Sequence, residues 1–327
     1  MPKVSVVIPV YNTGALLDRT LGSVTRQTLS DIDIICVDDC STDDSLTILR
    51  RWEQQDTRIR VIAFPDNGGV SRARNAGIDA VRAPYIYFLD SDDWIDDDYL
   101  EAMYSKAMET GQSVVVNSSV VREYENTAKA PEIDEYELLD PGFCAPSYIQ
   151  SHMLNVLWAR LYKRDHIVDN GIRFPEEIRH GGEDAWFIGL TELLQPRSYV
   201  FHGPFYHYWQ RLGSLAHSEA KDFSYIRSYR LLYEELVARA VPLDGLRLFG
   251  CGFLNVDTRE KFDFIRSYLL EAGSVILDNR DNYTVLDNLV IDAVISSPDY
   301  ETFRAHHHPN PAIEYLRSRL KNNKANG

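Results

Sequence analysis

Residues 4–10 read VSVVIPV, a nearly continuous run of apolar and mostly β-branched side chains. A run without polar alternation is typical of a strand that is buried on both faces. Residues 16–28 follow it with apolar side chains at helical spacing. The two segments predict a β-strand followed by an α-helix, which is the repeating unit of parallel sheets.

The same alternation continues through the first hundred residues. We predict further strands at residues 33–37, 60–64 and 85–89, and helices at residues 45–54 and 71–81. Repeated units of this kind indicate an α/β fold, in which a mainly parallel sheet is flanked by helices on both faces. Ligands of open α/β sheets bind beyond the carboxyl ends of the strands. We therefore expect a functional site at that rim.

The signals become weaker after residue 112. We predict a strand at residues 114–116 and a loop at residues 130–146. Two helices are predicted at residues 147–162 and 181–194. Helical patterns dominate beyond residue 222, at residues 224–240 and 261–271. We therefore divide the chain into an α/β domain and a helix-rich C-terminal extension. The ranges are 1–221 for the domain, with halves of about 1–112 and 113–221, and 222–327 for the extension.

The composition is that of a globular protein with an acidic surface. The chain has 327 residues and a formal net charge of −15, which repels phosphate backbones and argues against a nucleic-acid partner. It contains no uninterrupted apolar run of about 18 residues, the length that spans a bilayer. Its four cysteines show no close C-x-x-C pairing. We therefore predict a cytoplasmic protein.

A cluster of basic residues near the C-terminus is the local exception to this acidity. It comprises Arg317, Arg319, Lys321 and Lys324. Cations at the end of a helix complement the helix dipole, which is the ordinary interpretation. The alternative is a peripheral contact of the C-terminal region with the inner face of the cytoplasmic membrane. The same region is a candidate for homodimer formation.

Carboxylates follow directly after the strand at residues 85–89, where residues 90–93 read Asp-Ser-Asp-Asp. Asp90 and Asp92, two positions apart, are suited to hydrogen-bond a ribose hydroxyl and to ligate a divalent cation that neutralises a diphosphate. The ordinary alternative is an acidic turn, since Asp is common in turns. The next acidic run, residues 96–98, is more typical of a helix N-terminus.

Two more strand ends carry polar residues on the same rim. Asp39 is suited to accept the N3–H group of uracil, whereas the neighbouring Asp38 is a typical cap for the next helix. Residues 67–75 read NGGVSRARN, in which flexible backbone precedes Arg72 and Arg74 at a helix start. Arginines at a ligand rim in so acidic a chain indicate contact with an anion.

A second informative segment is HGGEDAWF at residues 180–187. A hydroxyl that attacks a sugar needs a base to take its proton, and Asp184 or Glu183 is suited to that role. Either residue is equally suited to be a helix N-cap. Flat aromatic side chains that could serve as platforms for sugar rings are Trp158, Trp186, Tyr206, Tyr208 and Trp209. For Trp158, which lies within a helical apolar pattern, core packing is at least as suitable a role.

Five segments in order resemble the inverting family 2 glycosyltransferases of the GT-A fold. They are VSVVIPVYNTGALLDRTLGSVTRQT from residue 4, IICVDDCSTDDS from residue 34, DNGGVSRARNAGIDAVRAPYIYFLDSDDW from residue 66, VLWARLYKRDHIVDNGIRFPEEIRHGGEDAWF from residue 156 and FYHYWQRLGSLAHS from residue 205. The resemblance covers about the first two-thirds of the chain. Each motif alone is moderately specific, and their shared order makes the resemblance strong.

The resemblance implies roles for individual residues. The positions that contact the nucleotide base and its surroundings are Pro9, Tyr11, Asn12, Asp39, Asn67 and Arg74. Those on the ribose and diphosphate side are Asp90 and Ser91, with Asp92 as the ligand for Mn²⁺ or Mg²⁺. Asp184 matches the catalytic base and Glu183 the acid that supports it. Positions that in relatives fold over the diphosphate are Arg211, Ser214 and His217, and His207 is a further candidate metal ligand.

The implied activity is transfer of a hexose or N-acetylhexosamine from a UDP-sugar to a hydroxyl of a glycan or lipid-linked saccharide. Two alternatives stay open: a non-catalytic carbohydrate-binding or scaffold module, and a sugar nucleotidyltransferase. The second would need a glycine-rich, basic loop after the first strand, whereas residues 10–15 contain one glycine and no cation. A nicotinamide-binding protein is disfavoured because no G-x-G-x-x-G follows that strand.

Overall fold

The computed structural model describes residues 1–125, 130–133, 142–144, 156–178, 182–195 and 197–210, together with the single residues 231, 235, 238 and 239. The chain divides into two compact units, residues 1–146 with 155–228 and residues 147–154 with 229–327. Every element below belongs to the first unit. The boundary predicted near residue 222 and the helix predicted at residues 261–271 lie outside the described residues. Of the helix predicted at residues 224–240, only the four single residues named above are described.

The first ninety residues form the strands and helices that the sequence predicts. The strands are β1 (Val4–Val10), β2 (Ile32–Asp38), β3 (Ile59–Ala63) and β4 (Tyr85–Phe88). The helices are α1 (Gly14–Thr25), α2 (Ser45–Gln55) and α3 (Val70–Ala80). The helices of the described residues are too short or too polar to cross a membrane.

The later elements are shorter and more mixed. They are β5 (Trp94–Ile95), α4 (Tyr99–Thr110), β6 (Val114–Asn117), β7 (Val120–Tyr124), β8 (Glu132–Ile133), β9 (Gly142–Cys144), a 3-10 turn (Leu157–Ala159), β10 (Arg160–Lys163), α5 (Arg164–Asp169), α6 (Glu183–Leu193), β11 (Ser198–Phe201) and β12 (Tyr206–Gln210). The strand at 114–116 and the helix at 181–194 are thus present with small changes of boundary.

Two predictions in this half are wrong. The segment 130–146 contains β8 and β9, so it is not simply a loop. The segment 157–162, predicted as the end of a helix, is a 3-10 turn followed by β10. All six of its side chains are buried, and a segment that is buried on every side lacks the alternation that distinguishes strand from helix.

The elements build an eight-stranded sheet in the order β3-β2-β1-β4-β10-β6-β11-β9 and a four-stranded sheet in the order β5-β12-β7-β8. Strands β3, β2, β1 and β4 run parallel. Strand β10 lies antiparallel between β4 and β6. The predicted α/β class, a mainly parallel sheet flanked by helices, is confirmed, and β10 makes that sheet mixed.

Strand β1 is the centre of the core. All seven of its residues are buried, and burying one Val or Ile side chain contributes about 1.5–3 kcal/mol. Its register pairs Val10 with Asp38 of β2 and Val7 with Phe88 of β4. Because these strands are parallel and in step, the residues that follow β1, β2 and β4 reach the same rim of the sheet.

Candidate active site

Backbone hydrogen bonds extend the pairing of the strands beyond their ends. The amide of Asp39 donates to the carbonyl of Val10 at 2.9 Å, and the amide of Phe64 donates to the carbonyl of Asp38 at 2.9 Å. On the other side of β1, the amide of Leu89 donates to the carbonyl of Val7 at 3.0 Å. The residues after four strands are therefore held in one row, as predicted for the ligand rim.

The residues after β1 and β2 form the first part of this row. Tyr11 is 48% exposed, whereas Pro9 is buried within β1. Asn12 adopts the left-handed region with φ 53°, and its Oδ1 accepts the amide of Thr42 at 2.8 Å. The exposed ring of Tyr11 thus lies next to a backbone corner that Asn12 fixes.

Asp39 organises the loop between β3 and α3. Its Oδ1 accepts the amide of Gly68 at 2.8 Å, and its Oδ2 accepts the amide of Gly69 at 2.7 Å. The Nδ2 group of Asn67 donates to the Asp39 carbonyl at 3.1 Å. Gly69 has φ 91°, a conformation that residues with a Cβ rarely adopt. The carboxylate predicted to read uracil therefore also shapes the loop that opens α3.

The acidic turn after β4 is fastened to helix α1. Ser91 Oγ accepts Thr13 Oγ1 at 3.0 Å, and the Ser91 carbonyl accepts Thr20 Oγ1 at 3.0 Å. The guanidinium of Arg19 donates to the Asp92 carbonyl at 3.1 Å. Ser91 is consequently buried, while the carboxylate of Asp90 is 30% exposed. The turn is thus rigid, and it presents the Asp90 carboxylate at its surface.

Arg74 joins this turn to helix α6. Its Nη2 lies 3.1 Å from Asp90 Oδ1, and its Nη1 lies 2.6 Å from Asp184 Oδ1. The same Nη1 donates to Glu183 Oε1 at 3.0 Å. Arg74 itself is 3% exposed. One buried guanidinium therefore gathers three carboxylates from two segments that are about ninety residues apart.

The first turn of helix α6 distinguishes two possible roles of Glu183 and Asp184, helix N-cap and site residue. Its N-cap is Gly182, which has φ 92°, and no side chain caps the helix. Glu183 and Asp184 are therefore first-turn residues, where the helix dipole favours negative charge. The N-cap alternative for these two acids is wrong, since their side chains turn to Arg74 instead.

The titration of the cluster follows from its burial. Burial raises the pKa of the Asp184 carboxyl well above its ordinary value, and the positive charge of Arg74 opposes that rise. The neighbouring carboxylates of Glu183 and Asp90 add to it. Burial also acts to lower the pKa of Arg74, but the three carboxylates outweigh burial and keep the guanidinium charged. A carboxylate of raised pKa is a better proton acceptor near neutral pH than an exposed one.

An aromatic cluster lies beneath these charges. The ring of Phe88 on β4 packs edge-on against Phe174, Phe187 and Tyr162, with centroid distances of 5.5, 5.6 and 5.9 Å. Phe174 and Phe187 stack at 4.1 Å. This cluster fixes the start of α6 against the end of β4.

Asn75 is a positioning residue that sequence reasoning did not single out. Its Nδ2 donates to the carbonyl of Phe174 at 2.9 Å, and its Oδ1 accepts the amide of Phe174 at 2.9 Å. It follows Arg74 directly and is buried. Its position directly after Arg74, within the predicted helix, was the signal that the sequence offered.

Asp93 is the second residue that the sequence did not assign. It is fully buried, its Oδ2 accepts the hydroxyl of Tyr206, and its Oδ1 accepts the amide of Trp209 at 2.8 Å. Burial raises the pKa of Asp93, and the carboxylates of Asp92 and Asp90 raise it further. The acidic turn is thereby tied to β12 of the second sheet.

The candidate sugar platforms divide into buried and partly exposed rings. Trp158 stacks on Tyr206 at 3.9 Å, and both are buried, as is Trp186. These three rings are core residues, so the platform prediction is wrong for them. Tyr208 and Trp209 are half-buried. The guanidinium of Arg19 lies 4.4 Å from the Trp209 ring centre, so one face of that ring is covered.

The second sheet also accounts for His207 and for the acids before α4. His207 Nε2 lies 3.0 Å from Asp96 Oδ1 and its Nδ1 lies 3.0 Å from Glu123 Oε1. Both ring nitrogens therefore lie within hydrogen-bonding distance of a carboxylate. Asp96 also accepts the amide of Phe205 at 2.8 Å, so its side chain contacts the residue before β12. The run at residues 96–98 directly precedes α4, as predicted for a helix N-terminus.

The donor set at the turn fits a hard divalent cation. No group of three or more His, Cys, Asp or Glu side chains suited to hold a metal occurs among the described residues. Mg²⁺ and similar ions commonly use one or two carboxylates and take their other oxygens from substrate phosphates and water. Asp92, half-exposed at the rim, suits that arrangement. Arg211, Ser214 and His217 lie outside the described residues.

Curated proteins with similar sequences include bacterial glycosyltransferases. Glycosyltransferase GlyG of Streptococcus pneumoniae is 38% identical over 262 residues, which cover 74% of this chain and 82% of GlyG. Succinoglycan biosynthesis protein ExoO of Rhizobium meliloti is 29% identical over 253 residues, which cover 75% of this chain and 71% of ExoO.

Solved structures share the fold at lower identity. S. aureus TarS 1–349 in complex with UDP-GlcNAc has a TM-score of 0.62 and 22% identity, over 90% of this chain and 80% of that one. A longer TarS structure has a TM-score of 0.64, and the match spans only 44% of its length. Residues 5–168, half of the chain, match the family model for Glycosyl transferase family 2. With the GlyG relationship, this match means that the chain belongs to glycosyl transferase family 2.

Proposed function

We propose that this glycosyltransferase moves a hexose or N-acetylhexosamine from a UDP-sugar to a hydroxyl of a glycan or lipid-linked saccharide, with inversion at the anomeric carbon. The observation that carries the proposal is the meeting of Asp90 and Asp184 on Arg74. A donor-binding acid and a base of raised pKa then lie within one cluster. The TarS fold neighbour was crystallised with UDP-GlcNAc, and ExoO is named for succinoglycan biosynthesis.

The residues divide the reaction between them. The exposed ring of Tyr11 and the acid Asp39 suit the uracil, and Asp90 suits the ribose. Asp184 takes the proton of the acceptor hydroxyl as its oxygen attacks the anomeric carbon. The bond from that carbon to the phosphate oxygen breaks, and UDP leaves with the electron pair. Attack and departure on opposite faces invert the anomeric centre.

Asp92 is the residue that would hold the divalent cation. When bound, Mn²⁺ or Mg²⁺ neutralises the negative charge that develops on the nucleoside diphosphate. The protein's own contribution is the rigidity of the turn, which Thr13, Thr20 and Arg19 fasten to α1.

The proposal is tested by nucleoside diphosphate release from UDP-, GDP-, CDP- and dTDP-sugars in the presence of Mn²⁺. We expect metal-dependent release from one UDP-sugar, loss of that release in Asp92→Ala, and its retention in Asp97→Ala. Asp97 is a matched control because its exposed carboxylate pairs with Arg26 at the surface. Silence across the panel, with no thermal stabilisation by any free nucleotide, would favour the non-catalytic carbohydrate-binding module.

The stereochemistry needs its own measurement. Proton NMR of the first product formed from an α-linked UDP-sugar reports the configuration of the new bond directly. Single displacement gives a β-linked product. An α-linked product would instead require two displacements or a front-side mechanism and would contradict the role given to Asp184.

A further inference from the structure

The side chain of Asn75 on α3 binds a distant backbone segment as a neighbouring strand would. Its Oδ1 accepts the amide of Phe174 at 2.9 Å, and its Nδ2 donates to the carbonyl of the same residue at 2.9 Å. Nδ2 also donates to Glu176 Oε1 at 3.0 Å. Buried backbone N–H and C=O groups need partners, and Phe174 is 2% exposed. One side chain of α3 therefore satisfies both backbone groups of Phe174.

A second contact from α3 holds the other end of this segment. Ser71 Oγ donates to the carbonyl of Ile178 at 3.3 Å. Ser71 and Asn75 lie four residues apart, so they share one face of the helix. Between the two contacts, the amide of Ile178 donates to the carbonyl of Pro175 at 3.2 Å. Residues 174–178 thus form a turn that is fixed to α3 at both ends.

The ring of Phe174 connects this turn to helix α6. It stacks on the ring of Phe187, with a centroid distance of 4.1 Å and an angle of 3° between the ring planes. Phe187 is fully buried and lies three residues after Asp184, one helical turn along α6. Close-packed interiors transmit displacements. The position of Phe174 therefore sets where the first turn of α6 lies.

We propose that Asn75 is a positioning residue for the catalytic base, acting through Phe174 and Phe187 on the first turn of α6. The inference rests on the proposed function, because it takes Asp184 as the base. Asn75 uses its Oδ1 and its Nδ2 in holding the turn, so it acts on Asp184 through packing. Helix α3 begins at the glycine loop on the donor side. One helix then supports the donor loop at its start and the base one turn later.

The first measurement needs no turnover. Asn75→Ala leaves both backbone groups of Phe174 without their partners. Amide hydrogen exchange of α6, followed by mass spectrometry, should then become at least about tenfold faster, because the helix loses part of its support against local opening. Asn117→Ala is the matched control, since Asn117 is fully buried on β6 and its side-chain amide likewise bonds backbone atoms. Its effect on the exchange of α6 should be clearly smaller.

Kinetics then test whether the effect passes through the base. The kcat of Asn75→Ala should fall roughly ten- to hundredfold, since a misplacement of about 1 Å can cost about 10²-fold. UDP affinity, measured by calorimetry, should fall far less than kcat does. In an Asp184→Asn background the same change should lower kcat less than about twofold, because no base remains to be misplaced. Asn117→Ala should leave kcat near that of the parent.

A second variant breaks the next contact in the series. Phe174→Leu keeps the backbone bonds to Asn75 but loses the stack on Phe187. It should show the same loss of kcat, and the same disappearance of that loss in the Asp184→Asn background. It also carries the test should Asn75→Ala fail to fold.

Two outcomes would overturn the inference. One is exchange of α6 that is no faster in Asn75→Ala than in Asn117→Ala. The other is a loss of kcat that is equally large with and without Asp184, which would give Asn75 a role independent of the base. A parent that turns over no donor at all would instead count against the proposed function, and the exchange data would still report whether Asn75 holds α6.

Discussion

At the scale of single residues, Asp184 and Asp93 show how two carboxyls of raised pKa acquire different roles. Burial raises the pKa of both. The side chain of Asp184 is 21% exposed, so a substrate hydroxyl can reach it. Both oxygens of Asp93 are satisfied by Tyr206 and Trp209. Asp184 is therefore a candidate base because it is accessible at the rim. Asp93 is not accessible, so its role is to hold the acidic turn against β12.

The first prediction concerns the pH dependence of Asp184. A base must be deprotonated, and its raised pKa means that kcat falls as the pH drops through a value above the ordinary carboxyl range. Asp184→Asn should lower kcat about 10²- to 10⁴-fold and remove that acidic limb, with little change in donor affinity. Steady-state kinetics from pH 4.5 to 9 provide the measurement. A variant that retains the limb would show that another group is the base.

The second prediction concerns Asp93. Asp93→Ala leaves the Tyr206 hydroxyl and the Trp209 amide without partners, at a cost of about 1–3 kcal/mol for each buried group. Asp93→Asn keeps an oxygen for the amide and a polar group for the hydroxyl, so it should lower the free energy of unfolding clearly less than Asp93→Ala does. Urea unfolding curves measure both. Equal stabilities of the two variants would argue that the hydrogen bonds to β12 contribute little.

At the scale of elements, β1 to β4 are predictable because each is a short apolar run between turn-forming residues. Strand β10 is not, because its burial between β4 and β6 removes any polar alternation. The contacts of the site were likewise only partly predictable from the sequence. Asp90 and Asp184 each stand out in the sequence, but their common partner Arg74 follows only from α6 packing against the end of β4.

The third prediction concerns how β10 supports α6. Arg160 on β10 and Glu192 on α6 form an ion pair whose side chains are both fully buried, with Nε and Oε1 3.2 Å apart. Glu192→Ala removes this counter-charge from a fully buried guanidinium and should lower the free energy of unfolding by up to about 3–5 kcal/mol. The double variant Arg160→Met with Glu192→Met should recover much of that loss. Glu109→Ala, which breaks an exposed pair with Lys106, is the control.

The fourth prediction concerns β3, an edge strand of the large sheet. Its Val61 amide donates to Glu53 Oε1 at 2.7 Å, and its Val61 carbonyl accepts Arg50 Nη1 at 3.3 Å. These bonds occupy groups that would otherwise be free to pair with another chain. Glu53→Ala should therefore increase aggregation on heating, measured by light scattering, more than its small loss of stability explains. Glu53→Gln, which can still accept the amide, should aggregate like the parent.

At the scale of the whole molecule, charge opposes the proposed donor. The chain carries a formal net charge of −15, and the site adds its own acids around Arg74 and the acidic turn. A nucleoside diphosphate is itself anionic, so the protein's field raises the free energy of its binding. The local cations are already engaged, Arg74 by carboxylates and Arg19 by the turn and Trp94. Within the described part of the site, which does not include Arg211, a divalent cation is the remaining means of compensation.

The fifth prediction follows from this excess of negative charge. Without divalent cations, UDP should bind weakly, and its affinity should improve as salt rises from 10 to 150 mM, because screening shortens the Debye length from about 30 to about 8 Å. Mn²⁺ should strengthen UDP binding at least about tenfold, or about 1.4 kcal/mol, and should abolish the salt effect. Uridine, which carries no phosphate, should respond to neither. Calorimetry with both ligands, with and without EDTA, measures these affinities. If UDP bound equally well without the cation, the site would have to neutralise the diphosphate with its own residues, and Asp92 would lose its proposed role.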